Sequence, residues 1–149
     1  VLSLGGTVVS ESLRIAGDEI NESIATYLKK KHNMVVGERT SEMIKIKIGS
    51  AYPDDNFDNT SFEVKGLHLS SGLPRSLALT AGEIREAMAD PLNKIIEAIK
   101  RTLERTPPEL AADIVERGIM LAGGGALIKG INDYKQTSWN YRVGVKNRL

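Results

Sequence analysis

The spacing of apolar residues divides the first part of the chain into strand-like and helix-like segments. β-rich runs at residues 1–4 and 8–15 flank a glycine pair, which predicts a hairpin. Apolar residues then recur every three or four positions from Ile20 to Leu28, which predicts a helix that ends at Asn33. We expect Asp18 to cap the start of this helix, because its carboxylate can accept hydrogen bonds from free backbone amides.

Residues 44–48 fit two patterns. Isoleucines alternate with lysines there, which is typical of a strand, although Ile44 and Ile48 also share one face of a helix. The hydroxyl and carboxylate groups at residues 40–42 favour a helix start, so we predict a helix. Residues 51–60 are rich in Asp and Asn without the glycine and distal glutamate of a calcium loop, which predicts a solvated loop.

Three strand-like runs at residues 62–65, 67–69 and 76–79 predict a small antiparallel meander. A helix follows, with Thr80 as its cap and Glu83 completing a capping box. Its apolar stripe continues to Leu103, and we expect Pro91 to kink or restart it. His32 and His68 lie far apart without metal-ligand spacing and are expected at the surface.

The run from Gly118 to Gly130 carries the strongest chemical signal. An apolar strand pattern leads into Gly123, Gly124 and Gly125 and then resumes as a helix-compatible segment. Glycines let a main chain approach a ligand closely, so the pattern favours a loop that faces a phosphorylated ligand. The alternative is an ordinary strand-to-helix connection.

Composition limits the class of protein. The chain has 149 residues, 41% hydrophobic and 26% charged, as in a globular domain or in two small lobes. It has no cysteine, which excludes disulfides and thiolate metal sites. The longest apolar run falls well short of the roughly 20 residues of a membrane span, and no signal peptide is recognised. The chain begins with Val1 in strand-like sequence, so we expect residues to precede it in the parent protein.

Charge argues against a nucleic-acid partner. The net charge is +1, but all 19 acidic residues lie at or before Asp133 and four basic residues follow it. The body of the chain is therefore weakly acidic, without a basic stripe. We predict that it binds no nucleic acid.

The order of these motifs closely resembles the MreB family of bacterial actin homologues, which determine rod shape. The segments that carry the resemblance include Gly37-Glu38-Arg39-Thr40, Ile48-Gly49-Ser50-Ala51-Tyr52-Pro53, Pro107-Pro108-Glu109-Leu110-Ala111-Ala112-Asp113-Ile114 and Gly123-Gly124-Gly125-Ala126-Leu127. The motifs extend to about residue 133.

The resemblance implies an α/β, actin-like ATPase fold, of which this chain would hold the second lobe only. Residues 1–33 would be part of subdomain IIA, and residues 34–101 approximately subdomain IIB. Residues 102–133 would return to subdomain IIA with the adenosine loop. Residues 134–149 match no motif and are expected to form an atypical or disordered tail.

The resemblance also implies a nucleotide site for ATP or ADP. Gly123, Gly124, Gly125, Ala126 and Leu127 would pass over the nucleotide, and Glu42 and Lys45 would approach its ribose and base. From the residues alone, Glu42 and Lys45 could equally be a surface ion pair on one helix face. The phosphate hairpins and Mg²⁺ ligands of the family would precede Val1, so we assign no catalytic or metal residue and expect no ATP hydrolysis by this chain alone.

Partners and location are likewise implied by the resemblance. The parent would form filaments in the cytoplasm at the inner face of the membrane, work with the cell-wall synthesis machinery, and attach to the membrane through parts outside this chain. Two other interpretations remain open. One is a fragment of another actin-superfamily ATPase, such as a sugar kinase or an Hsp70-type chaperone, and the other is an interaction module that needs no nucleotide.

Overall fold

The computed structural model describes residues 1–133 and 143–145. The chain is a mixture of helices and short sheets. In chain order its elements are β1 (Leu2–Ser3), β2 (Gly6–Thr7), α1 (Gly17–His32), β3 (Met34–Val35), α2 (Glu38–Ile48), α3 (Asp55–Asp58), β4 (Ser61–His68), β5 (Leu73–Thr80), α4 (Ala81–Glu104), α5 (Pro108–Arg117), β6 (Ile119–Leu121), a 3₁₀ turn (Gly124–Leu127) and β7 (Val143–Val145).

Helix α1 confirms the predicted helix and its end at Asn33, which adopts a left-handed conformation with φ of 52°. The predicted cap is wrong. The N-cap residue is Ala16, and its backbone amide donates a 2.7 Å hydrogen bond to the Glu19 carboxylate. Glu19 satisfies this amide because it lies one turn into the helix and reaches back, whereas Asp18 is exposed.

Helix α2 settles the ambiguity of the isoleucine run in favour of a helix. Ile44 and Ile48 are buried, whereas Ile46 between them is 70% exposed, so burial follows the helical period rather than alternation. The helix begins at Glu38 with Gly37 as its N-cap residue, two residues earlier than the predicted start at Thr40.

The hairpin of β1 and β2 is shorter than predicted. Ser3 pairs with Gly6, so one glycine of the expected turn lies in a strand, and residues 8–15 form no strand. The expected meander is confirmed as the antiparallel pair of β4 and β5, and β3, which was not predicted, adds a third strand in the order β3-β4-β5. Two of the predicted strands merge into β4, because Gly66, at the expected break, continues the strand. A side chain there would lie 2.7 Å from the carbonyl oxygen of Val35.

Helix α4 runs without interruption through Pro91, so the expected restart is absent and Ala81–Glu104 is one helix. The Thr80 hydroxyl accepts the amide of Glu83 at 3.3 Å, which confirms half of the predicted capping box. The Glu83 carboxylate instead contacts His32 and accepts the Tyr27 hydroxyl at 3.3 Å. His32, predicted at the surface, is thus half-buried, with a side chain that is 24% exposed.

The main core lies where α1, α2 and α4 pack with the three-stranded sheet. Its most buried large side chains come from all four elements: Ile24, Leu28, Ile44, Ile48, Leu79, Ile84 and Met88. The expected solvated loop after α2 is also more ordered than predicted. It contains α3, whose first amides donate to the Asp54 carboxylate, and it begins at the buried Ala51.

The last part of the described chain forms a third sheet, which is parallel. Ile119 of β6 pairs with Val143 of β7 in parallel register. A strand therefore occurs inside residues 134–149, which were expected to form an atypical or disordered tail. Because β6 and β7 are far apart in the sequence, no local pattern of residues predicts that they pair. Residues 131–133 are helical, and any continuation of the helix-compatible segment expected behind the glycines lies outside the described residues. No helix in the described part is long and apolar enough to cross a membrane.

Candidate functional site

The glycine loop follows β6 directly. Gly123 has φ of +92°, a conformation that favours glycine, and the chain then makes a single 3₁₀ turn rather than the longer helix that was expected. The amide of Ala126 donates to the Gly123 carbonyl oxygen at 3.1 Å and closes this turn. Ala126 is buried, whereas the three glycines are exposed.

Only one of the three glycines is explained by the conformation of the chain itself. A Cβ built on Gly123, Gly124 or Gly125 meets no atom within 4 Å, and only Gly123 has a positive φ. Packing within the described residues therefore does not require glycine at 124 or 125. The main chain there faces open space and is accessible to a ligand.

The two predicted site residues of α2 have different environments. Lys45 is partly buried, and its Nζ donates to the carbonyl oxygen of Gly17 at 3.3 Å. Glu42 is exposed, and no ion pair joins it to Lys45 within the described residues. The structure therefore gives no support to the alternative of an ordinary surface ion pair.

The structure brings the exit of the glycine loop to the end of α2. Lys129 forms an isolated parallel bridge with Ser50, and its carbonyl oxygen accepts the amide of Ala51 at 2.8 Å. Lys45 lies one helical turn before this junction, since its carbonyl oxygen accepts the amide of Gly49. No hydrogen bond or ion pair in the described chain directly joins Glu42 or Lys45 to residues 123–127.

A buried polar atom lies at the same junction. Ser50 is only 1% exposed, and its hydroxyl oxygen has no hydrogen-bond partner among the described residues. Burying an unsatisfied hydroxyl costs about 1–3 kcal/mol. The junction therefore holds an unused hydrogen-bonding group at the exit of the loop.

Lys129 and Asp54 were not predicted as neighbours, although they lie beside the candidate site. Lys129 Nζ is 3.2 Å from Asp54 Oδ2 and 3.8 Å from the centroid of the Phe57 ring. The hydrogen bond from Lys129, together with the amide of Phe57, lowers the pKa of Asp54 below its ordinary value. No local pattern signals this contact, because the two residues are far apart in sequence.

The described residues contain no group of three or more His, Cys, Asp or Glu side chains that could hold a metal ion. The candidate site therefore consists of main chain, one lysine and one glutamate. Such a site can bind and orient a ligand.

Comparisons with known proteins agree with the motif resemblance. The family model described as MreB/Mbl protein matches residues 1–148, which extends past the end near residue 133 that the motifs indicated. The cell shape-determining protein Mbl of Bacillus cereus is 46% identical over 132 residues, covering 89% of this chain and 39% of the relative. The cell shape-determining protein MreB of Escherichia coli K12 is also 46% identical, covering 89% of this chain and 38% of the relative.

Solved structures show the same relationship. The structure of MreB5 of Spiroplasma citri bound to AMPPNP superposes with a TM-score of 0.91 at 35% identity, covering 96% of this chain and 42% of that one. A MamK double helical filament gives a TM-score of 0.74 at 19% identity, which shows the shared fold only, and covers 99% and 46% of the two chains.

The chain spans about two-fifths of the length of the curated relatives that it matches. Sequence and fold agree over nearly all of the chain. It therefore belongs to the MreB/Mbl family and has part of the actin-like ATPase fold of that family's solved members.

Proposed function

We propose that this chain forms the adenosine-side wall of the nucleotide cleft in a filament-forming, shape-determining protein. The main chain of Gly123–Leu127 would pass over the nucleotide, and Glu42 and Lys45 would contact the ribose and base. The observation that carries the proposal is the open face of Gly124 and Gly125, which nothing within the described chain requires to be glycine. A ligand that comes close to the backbone accounts for both residues.

Two solved structures of one relative support adenine nucleotide as the ligand. MreB5 of Spiroplasma citri has been determined bound to AMPPNP and also bound to ADP, and both structures match at least 94% of this chain. ATP or ADP is therefore the proposed ligand, with Mg²⁺ held by other parts of the parent. The nucleotide supplies a cleavable phosphoanhydride. The residues of this chain bind and orient its adenosine, and no step of the cleavage is assigned to them.

The wider role is proposed for the complete parent. It would assemble into filaments at the inner face of the cytoplasmic membrane and organise cell-wall synthesis. The relatives named cell shape-determining proteins support the role in cell shape. The division into subdomains at residues 33, 101 and 133 stays a prediction. Helix α1 packs in the same core as α2 and α4, so a boundary at residue 33 separates helices that share one core.

One observation favours the interaction module as a second candidate. The tip of the β4–β5 hairpin carries apolar side chains in solvent: Leu67, Leu69 and Leu73 are 44%, 43% and 63% exposed. The register pairs Leu67 with Pro74 and Leu73 with His68, so the tip exposes apolar side chains on both of its faces, where they can contact a partner. The module would use this tip without needing the glycine loop, so nucleotide affinity distinguishes the two candidates.

Isothermal titration of ATP and ADP into the 149-residue chain tests the leading proposal. We expect weak binding, no steady hydrolysis, and an about tenfold loss of affinity in Lys45→Met, because a charge-assisted hydrogen bond contributes about 1.5–3 kcal/mol. Lys47→Met is the matched control, since Lys47 lies exposed on the same helix. Equal losses in both variants, or no binding by the wild-type chain, would refute the proposal.

A further inference from the structure

We infer that Lys129 is a positioning residue that fixes the glycine loop against the segment after α2. Only the identity of the loop's ligand as a nucleotide rests on the proposed function; the positioning role does not. Lys129 follows the loop by two residues, and both its main chain and its side chain contact residues 50–57.

The main chain of Lys129 makes the first connection. It bridges Ser50 in parallel and accepts the amide of Ala51 at 2.8 Å. The next residue, Gly130, lies so close to Tyr52 that an added Cβ would be 2.9 Å from the Tyr52 Cβ. The exit of the loop is therefore held tightly along the chain that leaves α2.

The side chain of Lys129 makes the second connection. Its Nζ lies 3.2 Å from Asp54 Oδ2 and 3.8 Å from the centroid of the Phe57 ring, so one ammonium group has both an ionic and a cation–π partner. The other carboxylate oxygen of Asp54 accepts the amides of Asn56 and Phe57 at 3.1 and 3.3 Å. Asp54 thus caps α3 and binds Lys129 at once, and it couples the helix cap to the loop exit.

An isolated ion pair at this exposure would contribute little, because Lys129 and Asp54 are 49% and 42% exposed. The arrangement differs from such a pair because the lysine meets a carboxylate that is already held by a helix cap. The ring of Phe57 fixes the direction of approach. Loss of the ammonium group should therefore loosen the loop without unfolding the core.

Hydrogen exchange of the nucleotide-free chain tests the inference, followed by nucleotide titration. The informative amides are Ala126, Ile128 and Ala51, because each donates a hydrogen bond within the loop or at its exit. In Lys129→Met we expect their exchange to accelerate about three- to tenfold, while amides of the β4–β5 pair are unchanged. Lys129→Arg should retain slow exchange, and Lys47→Met is the control for the lost charge.

Asp54→Asn refines the test, because an asparagine keeps the α3 cap but removes the charge. It should accelerate the same amides, and combination with Lys129→Met should add little further. Unchanged loop exchange in Lys129→Met, or equal acceleration in β4–β5, would overturn the inference. If the loop loosens but the wild-type chain binds no nucleotide, the positioning role stands and the proposed function fails.

Discussion

The hydroxyl of Ser23 on α1 donates a 2.6 Å hydrogen bond to the backbone carbonyl oxygen of Ala87 on α4. Ala87 lies four residues before Pro91, so its carbonyl is the one that would accept the amide that proline lacks. Helix α1 thus supplies from outside the hydrogen bond that is missing inside α4. This contact explains how α4 accommodates a proline in its interior.

Ser23→Ala should lower the free energy of unfolding by about 1–2 kcal/mol, because a buried carbonyl would lose its donor. In a Pro91→Ala background the cost should be much smaller, since the alanine amide then satisfies Ala87. Urea unfolding of the four chains measures this cycle. An equal cost of Ser23→Ala in both backgrounds would show that the hydrogen bond does not compensate for the proline.

Glu11 should make the stability of the chain depend on acid pH. Its carboxylate accepts Arg101 Nη2 at 2.7 Å, and this hydrogen bond is the main reason that its pKa lies below the ordinary value of 4.5. A lowered pKa stabilises the folded chain above the unfolded pKa, and this contribution is lost as pH falls through the folded pKa. As the pH falls from 7 to 3, the free energy of unfolding should therefore decrease in the wild type. It should decrease less steeply in Glu11→Gln.

Unfolding in urea at a series of pH values from 7 to 3 measures the Glu11 effect. Glu97→Gln serves as the control, because Glu97 is an exposed carboxylate on the same helix as Arg101. Parallel curves for the wild type and Glu11→Gln would contradict the assignment.

Gly130→Ala should destabilise the chain by about 1–3 kcal/mol, because φ is +72° and the new Cβ would meet Tyr52 at 2.9 Å. Gly72→Ala is the matched control, since Gly72 has φ of +68° but open space around it. The difference between the two costs isolates the clash with Tyr52. Thermal unfolding measures both, and equal costs would mean that Gly130 is not packed against Tyr52.

Local signals in the sequence predicted the helices better than the long-range contacts. The buried Ile44 and Ile48 and the capping Thr80 are read from neighbouring residues, and both predictions are confirmed. The pairing of β6 with Val143–Val145 brings together residues that are far apart, so no local pattern could indicate it. The cap of α1 was missed because Asp18 and Glu19 are both acidic and only geometry decides which one reaches the amide.

The same contrast applies to the candidate site. The glycines, Glu42 and Lys45 were assigned from motifs, and their roles stay predictions. The contact of Lys129 with Asp54 depends on the folded arrangement of α3 and the loop exit. The spacing of residues along the sequence therefore does not predict which residues position a site through tertiary contacts.

Nucleotide affinity of Gly124→Val tests the central claim most directly. A Cβ added at Gly124 meets no atom within 4 Å and φ there is not positive, so we expect the valine to leave the fold unchanged while it fills the space above the loop. Gly5→Val is the control, because Gly5 has equally open surroundings in the β1–β2 turn. We predict that Gly124→Val loses about tenfold or more in ATP affinity, whereas Gly5→Val loses none. A loss of about 1.4 kcal/mol of binding free energy corresponds to a tenfold weaker affinity. Unchanged affinity and unchanged self-assembly would contradict a nucleotide-facing loop and favour the interaction module.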